Sequence, residues 1–180
     1  MAIGFEGPAF PGAPQPQPPG TYTRVSEYFE SGMWFRRPQY PDSLLIVGSG
    51  VSWGPDNGTA YLGTLLNTIV AVSSLSGVPF SLSSLDAGAF PGLPSPGALR
   101  VIGYRQDDTT VTNDFNPSRS GFQTFYFSSG FIDLTRVEMK GGYALDNLVI
   151  GIPEPSAAAL ALLGAACALW SGRLGRRRHA

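Results

Sequence analysis

The sequence predicts an all-β fold: a jelly-roll-like antiparallel β-sandwich followed by one C-terminal transmembrane helix. Three observations carry that expectation. No segment before Ser156 shows a convincing apolar period of 3.6, so no amphipathic helix is expected there. Short apolar or alternating runs recur instead, separated by turn signals roughly every 8–12 residues, which is the rhythm of a sandwich. The last stretch differs in kind: it is apolar on every side from Ala157 to Trp170, and then basic.

Ile3-Gly4-Phe5-Glu6 reads as a first strand. Segment 8–20, built from Pro, Gly, Ala and Gln, is a solvated connector. Tyr22 to Phe35 is aromatic-rich and is expected to hold a strand or two around Gly32. Leu44-Leu45-Ile46-Val47 is a short buried strand stopped by Gly48-Ser49-Gly50, and Trp53 to Gly58 carries every local mark of a turn or loop. Asn67 to Val72 is rich in β-branched residues, and Phe80 to Asp86 alternates; both read as strands. Ala87 to Gly97 is then a Gly/Pro loop.

Leu99 to Arg105 is β-like, whereas Asp107-Asp108 and Asn113 to Gly121 look like turns and loops. Phe122 to Phe127 is a strong strand. Leu134 to Lys140 alternates a wet set (Leu134, Arg136, Glu138, Lys140) with a dry one (Thr135, Val137, Met139). Tyr143 to Ile150 closes the series with Leu145, Leu148 and Ile150. Eight to ten strands result, and a jelly roll suits them because first and last strands can pair and leave few open edges.

The chain therefore divides into a β-sandwich over 1–151 and a terminal segment over 152–180. In the latter, Pro153 and Pro155 lack amide donors and block helix from the left, while Ser156 is an N-cap candidate. A helix over 156–172 would span roughly 25 Å, the short end of what crosses a bilayer. Trp170 sits where an interfacial aromatic belongs, and the arginines after it are expected on the cytoplasmic side. The competing reading is a buried core helix, but such a helix rarely ends in a cluster of arginines.

Setting Arg173, Arg176, Arg177 and Arg178 aside leaves 8 basic residues against 13 acidic ones, so the body has no electrostatic footprint for nucleic acid. Cys167 is the only cysteine, which rules out an intramolecular disulfide. An exported body should follow a basic and then an apolar leader; Met1 to Glu6 carries neither, and a start upstream of Met1 is the favoured explanation.

Pro153-Glu154-Pro155, the short apolar run and the arginine cluster, in that order at the terminus, resemble the PEP-CTERM sorting signal of exported bacterial proteins. The resemblance implies an exosortase-type membrane enzyme as partner and processing near Pro-Glu-Pro. It also implies a transiently membrane-anchored protein that ends at the cell surface or in an exopolysaccharide matrix. A second resemblance rests on four stretches: 80–86, 101–104, Phe122 to Phe127, and Ala144 to Leu148. In that order they are similar to a group of PEP-CTERM ectodomains with a sandwich like those of carbohydrate-binding modules.

Chemistry is sparse. His179, the only histidine, lies in the basic tail, so the body has no Ser-His-Asp, Cys-His or His-based zinc site. Catalysis would fall to paired carboxylates, as in glycoside cleavage, yet most of the acidic residues sit in turns. If the terminal strands pair, Glu6 would approach Asp146 and Asn147, an oxygen-rich set suited to a structural calcium; the resemblance to carbohydrate-binding modules points the same way. The plainer alternative is that Asp146 and Asn147 satisfy backbone groups at a strand end. Of the rings that could meet a sugar, Trp34, Trp53, Tyr61 and Tyr104, Trp53 in its polar loop is the best candidate. The reading is thus an exported, non-catalytic surface or matrix protein that binds polysaccharide. A small carbohydrate-active enzyme and a tail-anchored protein with a cytosolic body are the alternatives.

Overall fold

The computed structural model describes residues 1–7, 17–38, 44–64, 68–90 and 98–153. Glu154, Pro155, the expected helix over 156–172 and Arg173, Arg176, Arg177 and Arg178 lie outside them, as do 8–16 of the connector and most of the 87–97 loop. Pro153 is within them and exposed.

Every strand pairing is antiparallel, and the strands form two sheets. The seven-stranded sheet runs β11 (Gln123–Tyr126), β8 (Ser81–Gly88), β13 (Ala144–Gly151), β6 (Tyr61–Thr64), β5 (Leu44–Val47) and β2 (Tyr22–Val25), with β1 (Ala2–Ile3) also on β13. The six-stranded sheet runs β10 (Thr110–Phe115), β9 (Leu99–Arg105), β12 (Leu134–Gly141), β7 (Thr68–Ser74), β4 (Met33–Arg36) and β3 (Glu27–Glu30). The described residues contain no helix, as the missing 3.6 period predicts.

Alternation builds the core. On β12, Val137 and Met139 face inward while Arg136, Glu138 and Lys140 face out. Leu134, expected on the wet face, is fully buried, because the register shifts between Leu134 and Arg136 and turns it inward. The inner faces of the two sheets supply one continuous core that includes Tyr28, Phe35, Phe80, Phe131 and Tyr143. The buried Tyr143 hydroxyl donates to the Met139 carbonyl at 2.7 Å, which lets a phenol sit in an apolar interior.

A second, smaller cluster covers the outer face of the seven-stranded sheet: Leu45, Val47, Val51, Tyr61, Phe90 and Ala144, with Phe122 against it. Small residues shape this face. Gly63, Ala144 and Gly88 lie side by side across β6, β13 and β8. A Cβ on Gly63 would come within 3.2 Å of the Phe90 ring, and one on Gly88 within 3.0 Å of Pro55. The three positions thus form a trough that Phe90 and the 51–60 loop fill. The outer face of the six-stranded sheet has no such cover among the described residues.

The described residues form thirteen strands where eight to ten are expected: 22–36 holds three (β2, β3 and β4) and not one or two, and β6 and β10 fall where no strand is expected. β6 has four residues, all buried, so it shows no alternation, and Gly63 weakens its propensity. β10 occupies what reads as turn, since Asn113 and Asp114 are poor strand formers. As an edge strand it keeps Asp114 exposed and Asn113 half-buried, and pairing with β9 along its whole length holds it in place. The expected pairing of first and last strands is present: Ala2 lies opposite Val149 and Ile3 opposite Leu148.

Candidate functional site

The site is built where β13 changes partners. One edge of β13 pairs with β6 at Ala144 and Leu145 and with β1 at Leu148 and Val149. Between these partners the strand bulges, and Asn147 takes a left-handed φ of 46°. Phe5, just after β1, is also left-handed at 55°, which turns Glu6 away from the sheet. The three residues expected to gather do so around the Gly4 backbone. A Cβ placed there would be 3.8 Å from Glu6 Cγ, 3.9 Å from Asp146 Oδ1 and 4.0 Å from Asn147 Oδ1.

Their partners are protein donors. Asp146 Oδ2 accepts from Asn57 Nδ2 at 2.7 Å and from Thr59 Oγ1 at 2.8 Å, and Oδ1 accepts from the Asn147 amide at 2.7 Å. Glu6 Oε1 accepts from the Ala60 amide at 2.9 Å. Asn147 Nδ2 donates to Asp86 Oδ2 at 2.8 Å, and Thr124 Oγ1 to Asp86 Oδ1 at 2.6 Å. Among the described residues no three His, Cys, Asp or Glu side chains converge to hold a metal ion. In the described contacts Glu6 and Asp146 are the acceptors of a hydrogen-bonded clamp. Burial pushes the fully enclosed Asp146 carboxyl above its ordinary value; the Asn57, Thr59 and Asn147 donors pull the other way.

What the clamp holds is the loop that carries Trp53. Asp56 Oδ1 accepts from the Gly58 amide and Asn57 Oδ1 from the Thr59 amide, so the loop is a pair of side-chain-stapled turns. Asp146 and Glu6 then tie its end to the sheet. Gly54 packs onto the Tyr61 hydroxyl so closely that any Cβ would overlap it. Tyr61, a candidate sugar ring from sequence, is fully buried and lies under the loop instead, so it offers no platform.

Trp53 is 42 % exposed and its ring stacks on the buried Phe90, with centroids 5.9 Å apart and planes 27° apart. Tyr22, 48 % exposed on edge strand β2, meets it edge-on at 5.7 Å. Two adjacent solvent-facing rings, one seated on a buried ring and on a clamped loop, form a rigid amphipathic surface. Sequence reading singled out Trp53 but not its partners; Tyr22 was legible only as a strand residue and Phe90 only as part of a Gly/Pro loop.

The other two candidate rings lie on the open outer face of the six-stranded sheet. Trp34 Nε1 donates to Glu27 Oε2 at 2.8 Å, with the Arg36 guanidinium 4.3 Å over its ring. Tyr104 donates its hydroxyl to Glu138 Oε2 at 3.1 Å, with the Arg136 guanidinium 4.1 Å over its ring. Both rings are only half-exposed and carry an arginine on one face, whereas Trp53 is exposed and backed by a ring.

No known protein family matches the chain, and no curated protein does either. Solved structures of similar fold include carbohydrate-binding modules. One is a point mutant of the family 29 module CBM29-2 complexed with mannohexaose: 12 % identity, 73 % of this chain and 90 % of that chain covered, TM-score 0.44. Another is the CBM22-1 xylan-binding domain of Xyn10C from Paenibacillus barcinonensis: 12 % identity, 87 % and 95 % covered, TM-score 0.47. Both are loose likenesses of overall form.

Proposed function

We propose that the chain is a non-catalytic polysaccharide-binding β-sandwich, exported to the cell surface or an extracellular matrix, with Trp53 and Tyr22 as its sugar platform. The observation that carries the binding half is the seating of Trp53. A solvent-facing indole normally samples many positions; this one is backed by Phe90, edged by Tyr22 and set on a loop tied to buried Asp146. Such pre-organisation leaves Trp53 42 % exposed, and it lowers the ordering cost of stacking a sugar ring. Glu6, Asp86 and Asp146 serve the loop and sheet as hydrogen-bond acceptors, in keeping with the non-catalytic half.

The export half rests on sequence. Pro153-Glu154-Pro155, the apolar run and Arg173, Arg176, Arg177 and Arg178 would direct the chain to a membrane and an exosortase-type enzyme that releases the sandwich. Affinity electrophoresis of the full chain through gels containing glucan, mannan or xylan tests binding. Retardation by at least one polymer, lost in Trp53→Ala without loss of fold, is expected. No retardation, unchanged retardation in the variant, or release of reducing sugar would overturn the reading. A reporter fused after Gly151 tests export separately, and a cytosolic signal would remove that half.

A further inference from the structure

The open face of the six-stranded sheet carries a pattern that the Trp53 platform does not use. It holds two matched triads: an aromatic ring, a glutamate that accepts the ring's polar hydrogen, and an arginine stacked on the ring. Trp34, Glu27 and Arg36 make one; Tyr104, Glu138 and Arg136 make the other. They sit on strands β4 and β3, and β9 and β12, of one sheet. β4 and β9 are three strand spacings apart, or about 14 Å at ~4.8 Å per spacing. That span is longer than a single sugar ring, so one ligand reaching both must be an oligomer.

The charges on this face are unevenly used. Arg100 and Asp114 neutralise each other in a two-pronged pair at 2.7 and 2.8 Å. Glu138 faces Arg136 at 3.4 Å and Lys140 at 3.8 Å, two cations for one carboxylate. Arg36 stands directly opposite Glu27 in register, yet among the described residues no ion pair joins them, because Glu27 turns its carboxylate to the Trp34 indole. Stacking on a ring orients a guanidinium without consuming its donors; those of Arg36 stay available for planar capture of a carboxylate, while Arg136 shares Nη2 with Glu138 and offers the rest of its exposed edge. Opposite Trp34 in register, the Phe29 ring is 46 % exposed and lies within 4° of parallel to the same indole on which the Arg36 guanidinium stacks. An exposed flat ring and a guanidinium that share Trp34 as neighbour fit a molecule with a rigid C–H face and a carboxylate.

We propose that this face is a second, independent binding surface and that it takes an anionic polysaccharide bearing ring carboxylates, a polyuronate, across strands β4, β7, β12 and β9. Arg36 and Arg136 hold carboxylates at its two ends, and Phe29 supports a sugar ring beside the first. A flexible acidic peptide has the charge but no rigid apolar face and is a poorer fit.

Affinity electrophoresis of the full chain in polygalacturonate tests this, with carboxyl-reduced polygalacturonate and polyglutamate as the comparison polymers. The expected result is retardation by polygalacturonate alone, weakening as salt rises. Binding should fall about tenfold in Arg36→Gln and again in Arg136→Gln, one charge-assisted contact each, and be unchanged in Trp53→Ala. Because Trp53→Ala reads the other surface, failure here and failure of the Trp53 platform are separable. Should Arg36→Gln lower the melting temperature, Arg36→Lys keeps the charge without the planar fork and is expected to bind between wild type and Gln. Equal retardation by the reduced polymer or by polyglutamate, none by polygalacturonate, or full binding by the double Gln variant would each overturn the proposal.

Discussion

Replacing Asp146 by alanine removes one acceptor from three donors: Asn57 Nδ2, Thr59 Oγ1 and the Asn147 amide. Hydrogen bonds to a charged group are worth roughly 1.5–3 kcal/mol each in net terms. The whole sum is not lost. Asn57 and Thr59 are exposed enough to turn to water, and the variant no longer has to desolvate a carboxylate that burial disfavours. What remains is the part-buried Asn147 amide without an acceptor, and a 51–60 loop freed at its end. A loss of about 2–4 kcal/mol follows, or a fall in melting temperature of roughly 5–15 °C for a body of this size. Urea unfolding followed by circular dichroism reads the first quantity. A double-mutant cycle with Thr59→Val then isolates the clamp, with an expected coupling of about 1 kcal/mol. A loss below about 1 kcal/mol, or additive effects of the two substitutions, would refute the idea that Asp146 holds the loop to the sheet.

Asp146 also sets a pH dependence with a definite sign. Its folded-state value is raised by burial, so the native state takes up this proton before the unfolded chain does. The stability it contributes is fullest below the unfolded value of ~3.9 and is lost as pH rises through the folded value. The lead of wild type over Asp146→Asn should therefore widen as pH falls through that window, and urea titrations that find it constant or shrinking would contradict this. A Cβ on the buried Gly103 would stand 2.7 Å from Leu134 Cδ2 and 3.0 Å from Val111 Cγ1, so Gly103→Ala should cost about 1–3 kcal/mol by thermal melting, whereas a neutral result would mean that this part of the core is loose. If Glu6 and Asp146 are a hydrogen-bonded clamp, EDTA should leave the melting temperature unchanged, and a fall restored by added calcium would reinstate a metal at this position.

Much of the sandwich was legible in sequence because its strands either alternate or are uniformly apolar. Leu44–Val47, Leu134–Gly141 and Ala144–Gly151 each declare themselves by one of those patterns. Tyr61–Thr64 does not, since both of its faces are covered and its glycine exists to admit Phe90. Thr110–Phe115 is hidden for the opposite reason: an edge strand needs few apolar residues, so its Asn and Asp read as turn. The meeting of Glu6 with Asp146 and Asn147 followed from pairing the chain's two terminal strands. Their partners Asn57 and Thr59 could not be foreseen, because a loop's landing place on a sheet face is set by packing and not by local pattern. The same holds for the two ring–arginine–glutamate triads. Each joins residues whose adjacency depends on strand register, and the Tyr104 triad depends on a pairing that a bulge in β12 resets.

The central claim is that the two faces of this sandwich bind through different tryptophans. The most direct measurement is a ¹⁵N NMR titration of the full chain that follows the indole N–H signals, assigned with Trp→Phe variants. A neutral polysaccharide retained in affinity gels is predicted to shift the Trp53 signal and leave Trp34 in place, while polygalacturonate is predicted to shift Trp34 and leave Trp53. Movement of both signals by either polymer, or of neither by both, would contradict it.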